Sequence, residues 1–479
     1  MAGIGFELKK IFSKKSLTAK LGGVFYSVFS TIGHVLTVIA VLLLVRYFMD
    51  IYHTSIYVRE LYAAIILYSF IFPLIFSSGI CIILSRYIAD MLWQGKHSDV
   101  LASAKGVIAL YAIIASLPAI ILLAHATDLS LLLRLFAYLL YMNMGIIFIL
   151  MVYVSALKDY TQIALSFFIG MSVVLLLSWY TVAYHPFSGE IVTYLIGYFA
   201  LGTTIIACGI YLGIRKYFKK ASGNCFSFLK YFGKHKFLFW SNTFYTAALY
   251  IQNFSFWINT ATRDQVSVFV YSEEFDLGTA FALYTTLPVV VIFVVRAEIY
   301  FYETYRNYLQ AITVQTGEHI KKAKELMERR MWLEYSYCFE IQTLISIILI
   351  AVGLILMPLF YINPLTIDVF PYLSLGIMLT YFVFLACTLL QYFENYRDSF
   401  YSMLLCFCLN IVFCTLFVIM GPHYYGLGII FAAIPSLFLS IYKLYRTMRE
   451  VDYRVFCLQT FIKKETITKT DKIIDFLND

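Results

Sequence analysis

Acidic side chains are absent from the middle of every long apolar stretch of this chain. A sodium or proton exchanger usually keeps a carboxylate at membrane depth, because the coupling ion needs an anionic or titratable ligand there. The gap therefore weighs against a cation-coupled antiporter. Charge is scarce overall, with Asp, Glu, Lys and Arg making up 13% of the residues. There is no GxxxxGK[ST] loop, and the polar segments are too short for an ATPase or glycosyltransferase domain. HExxH, paired carboxylates and a Ser/His/Asp set are also missing, so neither an enzyme nor a cofactor or metal is expected. The nine cysteines are odd in number, with none in a predicted outer connection. They fit no disulfide framework and read as small apolar packing residues.

What the chain has is apolar length, with 61% hydrophobic residues. Twelve runs lie near residues 21–45, 62–84, 107–125, 135–156, 162–183, 191–214, 237–259, 278–295, 341–360, 371–392, 399–420 and 425–441. Each approaches the ~20 residues that a helix needs to cross roughly 30 Å of hydrocarbon. Backbone amides in lipid must pair within their own segment, so each run reads as a helix. The first run is too long for a signal peptide, lacks a small-residue cleavage site and is followed by eleven more. The expected fold is an all-α polytopic membrane protein with twelve transmembrane helices.

Positive charge gathers on alternate sides of these runs. Of 36 Lys and Arg, only Arg46, Arg59 and Arg263 fall in outer connections, while Arg134 and Arg296 sit at helix ends. The others share the side of the N-terminus, which places both termini in the cytoplasm. The net charge of +8 follows from this bias, and no nucleic-acid partner is needed to explain it.

The expected organisation begins with residues 1–20, a cytoplasmic segment. There Ile4, Phe6, Leu8, Ile11 and Phe12 alternate with Lys9, Lys10, Lys14 and Lys15. This suits an amphipathic helix on the lipid surface, and equally an ordinary basic flank. A six-helix lobe follows over 21–214, then a basic linker over 215–236 and a second six-helix lobe over 237–446. Residues 302–335 extend that lobe into the cytoplasm with helical periodicity, with Gly317 as a candidate break. A polar cytoplasmic tail covers 447–479. A 6+6 division matches two-lobed transporters, although the symmetry rests on span count alone.

Candidate pathway residues are few. His34, in the first span, is the deepest ionisable group, either a neutral imidazole bonded to a neighbouring helix or a coupling or substrate ligand. Arg296 and Glu298 are two residues apart and point to different helical faces, so at least one needs a partner elsewhere, unless Arg296 only snorkels toward headgroups. Arg86 and Asp90 are i,i+4 neighbours and suit a structural or gating ion pair. Arg134 marks the outer mouth of its lobe, and Asn143 lies in the aromatic fourth span. The seventh span carries Asn242, Tyr245, Gln252 and Asn253 largely on one face. Rings and amides suit a path for neutral sugars, and the 40 Tyr also suit an interfacial aromatic belt with helix–helix hydrogen bonds. In-span prolines at 73, 118, 288, 358 and 435 are candidate kinks.

The opening Met1-Ala-Gly-Ile-Gly-Phe-Glu-Leu-Lys-Lys, Ser85-Arg-Tyr-Ile-Ala-Asp90, and Val295-Arg-Ala-Glu298 with Tyr300-Phe-Tyr-Glu303 resemble the PelG-type membrane proteins of Pel exopolysaccharide operons. The likeness covers the whole chain in span count and order. It lapses at Ser30-Thr-Ile-Gly-His34, where the resemblance implies a small-residue run ending in Gly-Pro. That family is similar to the multidrug/oligosaccharidyl-lipid/polysaccharide (MOP) flippase superfamily. The resemblance implies export of an N-acetylgalactosamine-rich polysaccharide across the bacterial cytoplasmic membrane for biofilm matrix. It also implies a cytosolic glycosyltransferase and other Pel membrane components as partners, one of them cyclic-di-GMP-responsive. A small-molecule antiporter of the same fold and a non-transporting synthase scaffold are the alternatives. If the lobes face each other, substrate is expected to pass between spans 21–45 and 237–259. His34, Asn242, Tyr245, Gln252 and Asn253 would then line a wet cleft, with Arg296 and Glu298 toward its cytoplasmic end.

Overall fold

The protein is described by a computed structural model covering residues 17–157, 160–184, 190–218, 221, 224–296, 300–360 and 362–457. Helices dominate. The first lobe is α1 (Leu17–Ile51), α2 (Ile56–Trp93), α3 (His97–His125), α4 (Leu131–Leu157), α5 (Tyr160–Tyr184) and α6 (Ile191–Phe218). A short α7 (Leu229–Lys234) leads into the second lobe. That lobe holds α8 (Lys236–Ile258), α9 (Glu273–Thr285), α10 (Leu287–Arg296), α11 (Tyr302–Val314), α12 (Gly317–Leu359), α13 (Pro364–Tyr392), α14 (Tyr396–Met420) and α15 (Leu427–Arg449), with α16 (Val451–Cys457) after it.

Among the described residues, eleven helical segments are long and apolar enough to cross a membrane. The expected seventh span, α8, is present as a 23-residue helix but is not among the eleven. Its Asn242, Gln252 and Asn253 lower its hydropathy, and burial against α14 and α2 rather than lipid is what tolerates them. The eighth span is two helices, α9 and α10, separated at Thr286. Pro288 explains the interruption, because it lacks an amide hydrogen and its ring clashes with the preceding turn. Pro73, Pro118 and Pro435 lie inside continuous helices.

Two features modify the all-α expectation and the 302–335 segment. Asp264–Val266 and Phe269–Tyr271 form a small antiparallel hairpin, β1–β2, in the 260–277 connection. The 302–335 segment holds α11 and the start of α12, with the break at Gln315–Thr316, immediately before Gly317. Lys324 and Tyr308 both reach Asp452, each at 2.7 Å, and so tie α12 and α11 to α16.

The core is divided. One cluster of buried side chains runs through α2–α6 and the later part of α1, and separate clusters occupy the second lobe. The hairpin breaks this rule. Trp257, Val266, Phe269 and Tyr271 belong by sequence to the second lobe but pack into the core of the first.

Candidate functional site: the seam between the lobes

The lobes meet along α2 and α8. Helix α1 instead packs on α5 and touches α10. The expected apposition of the first span of each lobe is therefore replaced by a crossed one. Each lobe's first span thus touches the other lobe's second span.

Along the seam, rings pair across the lobes. Tyr68 stacks on Trp257 with centroids 5.2 Å apart and planes 3° from parallel. Phe72 stacks on Phe254 at 5.8 Å and 20°. One turn and more toward the basic end, Asn242 donates to the Ser78 carbonyl at 3.0 Å. Gly79 permits a close approach of the helices, since a Cβ built there would lie 2.6 Å from Phe239 and against Thr243. No charged residue occurs in 61–85 of α2 or in 237–258 of α8.

Polar contacts bracket this apolar seam. At the end carrying the basic connections, Arg86 donates to Glu394 of the second lobe at 2.7 Å. Its expected partner Asp90 is farther away, at 3.7 Å, and accepts from the Tyr231 hydroxyl of α7 at 3.0 Å. Glu394 holds a left-handed backbone (φ 55°), which costs a non-glycine residue roughly 1–2 kcal/mol. Such a residue marks a constrained position. At the opposite end, Arg46 pairs with Glu273 at 2.8 Å and Ser267 donates to Asp128 at 2.8 Å. Tyr68 donates to the Val270 carbonyl at 2.8 Å and accepts from the Val270 amide.

The other predicted residues divide by location. Tyr245 stacks on Phe384 of α13 with centroids 4.2 Å apart. Gln252 donates to Thr279, and Asn253 donates to Asp276 at 2.6 Å. All three contacts lie within the second lobe, and Gln252 and Asn253 are buried. Asn242 alone of the seventh-span group bonds across the seam. The cleft-facing arrangement thus gives way to intralobe packing for Tyr245, Gln252 and Asn253, because Asp276 and Phe384 supply their partners. His34 is half-buried with its ring 5.3 Å from Phe167 of α5. Asn143 donates to Ala200, Thr203 and Thr204 of α6, and Arg134 donates to the Leu129 carbonyl. Glu298 lies outside the described residues. Arg296 finds its counter-charge in Glu334 of α12, and its guanidinium lies 4.0 Å from the Tyr337 ring centroid. Arg330 also pairs with Glu334, at 2.8 Å.

Sequence reading missed three partners: Asp276, Glu334 and Glu394. Asp276 is 8% exposed. Its carboxylate accepts from Asn253, from the Trp257 indole at 3.0 Å and from the Ser272 amide at 2.9 Å. It organises the indole that stacks on Tyr68. Its signal in the sequence is a third acid, after Glu273 and Glu274, in the first turn of a helix that carries no charge from Leu277 onward.

Two helical lobes meet along a crossed seam, and this fold is shared with solved membrane transporters. The fold is similar to a MATE-family multidrug transporter in its outward-facing conformation (14% identity, TM-score 0.58, covering 89% of this chain and 96% of that one). The inward-facing conformation of such a transporter matches with TM-score 0.55 at 14% identity, over 85% and 95% of the two chains. The Vibrio cholerae MATE transporter VcmN in the bent form matches at 10% identity with TM-score 0.60, over 94% and 99%. No curated protein matches the chain. Residues 1–456 match the family model described as PelG, putative exopolysaccharide exporter (EPS-E), and the chain belongs to that family.

Proposed function

We propose that this protein exports a Pel-like, N-acetylgalactosamine-rich exopolysaccharide across the bacterial cytoplasmic membrane for biofilm matrix, by parting and closing the α2–α8 seam. The carrying observation is the seam itself, which is uncharged along its length and bracketed at both ends by polar contacts between lobes. A neutral polymer meets no fixed charge there. Short ionic contacts at the two ends are cheap to break, since half-exposed pairs contribute about 0–1 kcal/mol each.

His34, Asn242, Arg296 and Glu298 remain the pathway residues of this reading. Arg134, Asn143, Tyr245, Gln252 and Asn253 support them from within the lobes. Arg86 and Asp90, with Glu394, serve as the cytoplasmic latch. The basic loops 215–236 and 302–335 dock a cytosolic glycosyltransferase and other Pel membrane components. The domain scheme follows, with two lobes, a basic linker and cytoplasmic termini. The test is polymer secretion from cells in which this protein replaces its native counterpart, with cysteines at Ser78 and Asn242 cross-linked across the seam. Secretion that continues with the lobes locked sinks the proposal, as a scaffold would require.

A second reading has one specific support. Asp276 is a buried carboxylate in the eighth span, of the kind a cation-coupled small-molecule antiporter would use. Organic-cation extrusion driven by a pH gradient in proteoliposomes, lost in Asp276→Asn, would favour it.

A further inference from the structure

Resting on the export reading, we infer that the ring pairs Tyr68/Trp257 and Phe72/Phe254 are a saccharide-binding site, masked while the lobes are closed. Each pair takes one ring from each lobe, so separation along α2 and α8 leaves two flat apolar faces opposite one another. A pyranose ring presents C–H groups on its faces and hydroxyls around its rim. Held between two rings at ordinary carbon–carbon contact of about 3.5–4 Å a side, it needs roughly 7–8 Å between them. The present centroid separations are 5.2 and 5.8 Å. Near-parallel rings with centroids that far apart are laterally offset, with faces about 3.5–4 Å apart, so a parting of about 4 Å admits one sugar ring at van der Waals contact.

The groups beside the rings fit the rim of a sugar. Parting the seam frees the Asn242 amide from the Ser78 carbonyl, while the Tyr68 hydroxyl stays bonded to the Val270 backbone of the hairpin seated in the first lobe. The freed amide is a hydrogen-bonding group suited to a hydroxyl or an N-acetyl. The Trp257 indole nitrogen stays bonded to Asp276, so that ring keeps its orientation when its stacking partner leaves. No charged residue occurs over 61–85 and 237–258, and the carboxylate that touches the ring pairs, that of Asp276, is engaged by Asn253, Trp257 and Ser272, which suits a neutral saccharide.

The experiment uses the full chain in nanodiscs and a neutral N-acetylgalactosamine tetrasaccharide as the probe, with binding measured by calorimetry. Tyr68→Leu, Phe254→Leu and Trp257→Leu should each weaken binding about tenfold, while Trp257→Phe stays within about threefold. In a background lacking native cysteines, bridging Arg86→Cys and Glu394→Cys across the lobes with a short reducible bifunctional thiol reagent should abolish binding, and reduction should restore it. The tetrasaccharide should also slow that cross-linking. Binding that survives the cross-link, or leucine variants that bind like wild type, overturns the inference. So does wild-type protein that ignores the tetrasaccharide but binds tetraphenylphosphonium at the seam. Secretion in cells separates the two proposals, because leucine variants that bind normally while export continues defeat this site and leave the export reading standing.

Discussion

Replacing Asp276 tests the framework that holds the indole at the seam. In the wild type, three donors converge on its buried carboxylate: the Asn253 amide, the Trp257 indole and the Ser272 backbone amide. Asp276→Ala leaves all three without their acceptor. A buried unsatisfied donor costs about 1–3 kcal/mol, so the loss should be at least roughly 3 kcal/mol. Asp276→Asn keeps the shape and one acceptor oxygen, and should lose roughly 1–2 kcal/mol. Thermal unfolding in detergent can be followed with a thiol-reactive dye, because Cys338, Cys387, Cys406 and Cys414 are buried. All variants should be scanned at one rate, as unfolding of a large membrane protein is commonly irreversible. The expected order of midpoints is wild type, then Asn, then Ala. An alanine variant that unfolds at the wild-type temperature would refute the reasoning. An asparagine variant of full stability that has lost transport would instead assign the carboxylate to the transport cycle.

Three other outcomes follow from the seam. Arg86→Glu should shift the closed–open balance by up to about fivefold, because the exposed pair is worth about 0.2–1 kcal/mol. Spin-label distances across the basic end would show it, and Arg86→Glu with Glu394→Arg should return the wild-type distribution; a double swap no closer to wild type than the single one argues against the latch. Gly79→Leu should hold α2 off Phe239 and Thr243, seen as lost cross-linking between cysteines at 72 and 254; unchanged cross-linking would mean that the close approach is not fixed by this glycine. His235 is buried in the connection before α8, where burial, then Lys234 and Arg86, push its imidazole down to about 4 from 6.5. The unfolded chain binds that proton first, so stability is full above about pH 6.5 and falls as pH drops toward 4. His235→Phe should flatten the difference in unfolding temperature between pH 7 and pH 5, and an equal drop in both proteins would remove His235 as the cause.

The spans were legible because lipid imposes one rule, continuous apolar length, and that rule is local. Pro288 and Gly317 were legible for the same reason, since each acts on its own turn. The need of Arg296 for a distant partner could also be read, because Glu298 lies on another face. Its identity could not, as Glu334 is 38 residues away in an amphipathic stretch whose acids look alike. Arg86 shows the limit most clearly. Its neighbour Asp90 was visible at i,i+4, yet the closer carboxylate is Glu394, 308 residues along the chain. Asp276 is not legible because it stands close behind Glu273 and Glu274, ahead of the apolar run that begins at residue 278, and so reads as part of a polar connection. The hairpin was hidden because its three-residue strands are stabilised by the core of the other lobe rather than by their own pattern.

Helix α12 has 43 residues, or about 64 Å at 1.5 Å per residue. A bilayer's hydrocarbon takes up roughly 30 Å of that, so about half the rod stands clear of it. Through Asp452 the free half is bolted to α11 and α16. The three helices are thereby joined as one unit outside the hydrocarbon. Tilting the membrane half by about 10° would swing the tip of a ~32 Å arm by about 5–6 Å. Under the proposed docking at 302–335, that displacement would reach whatever is docked there.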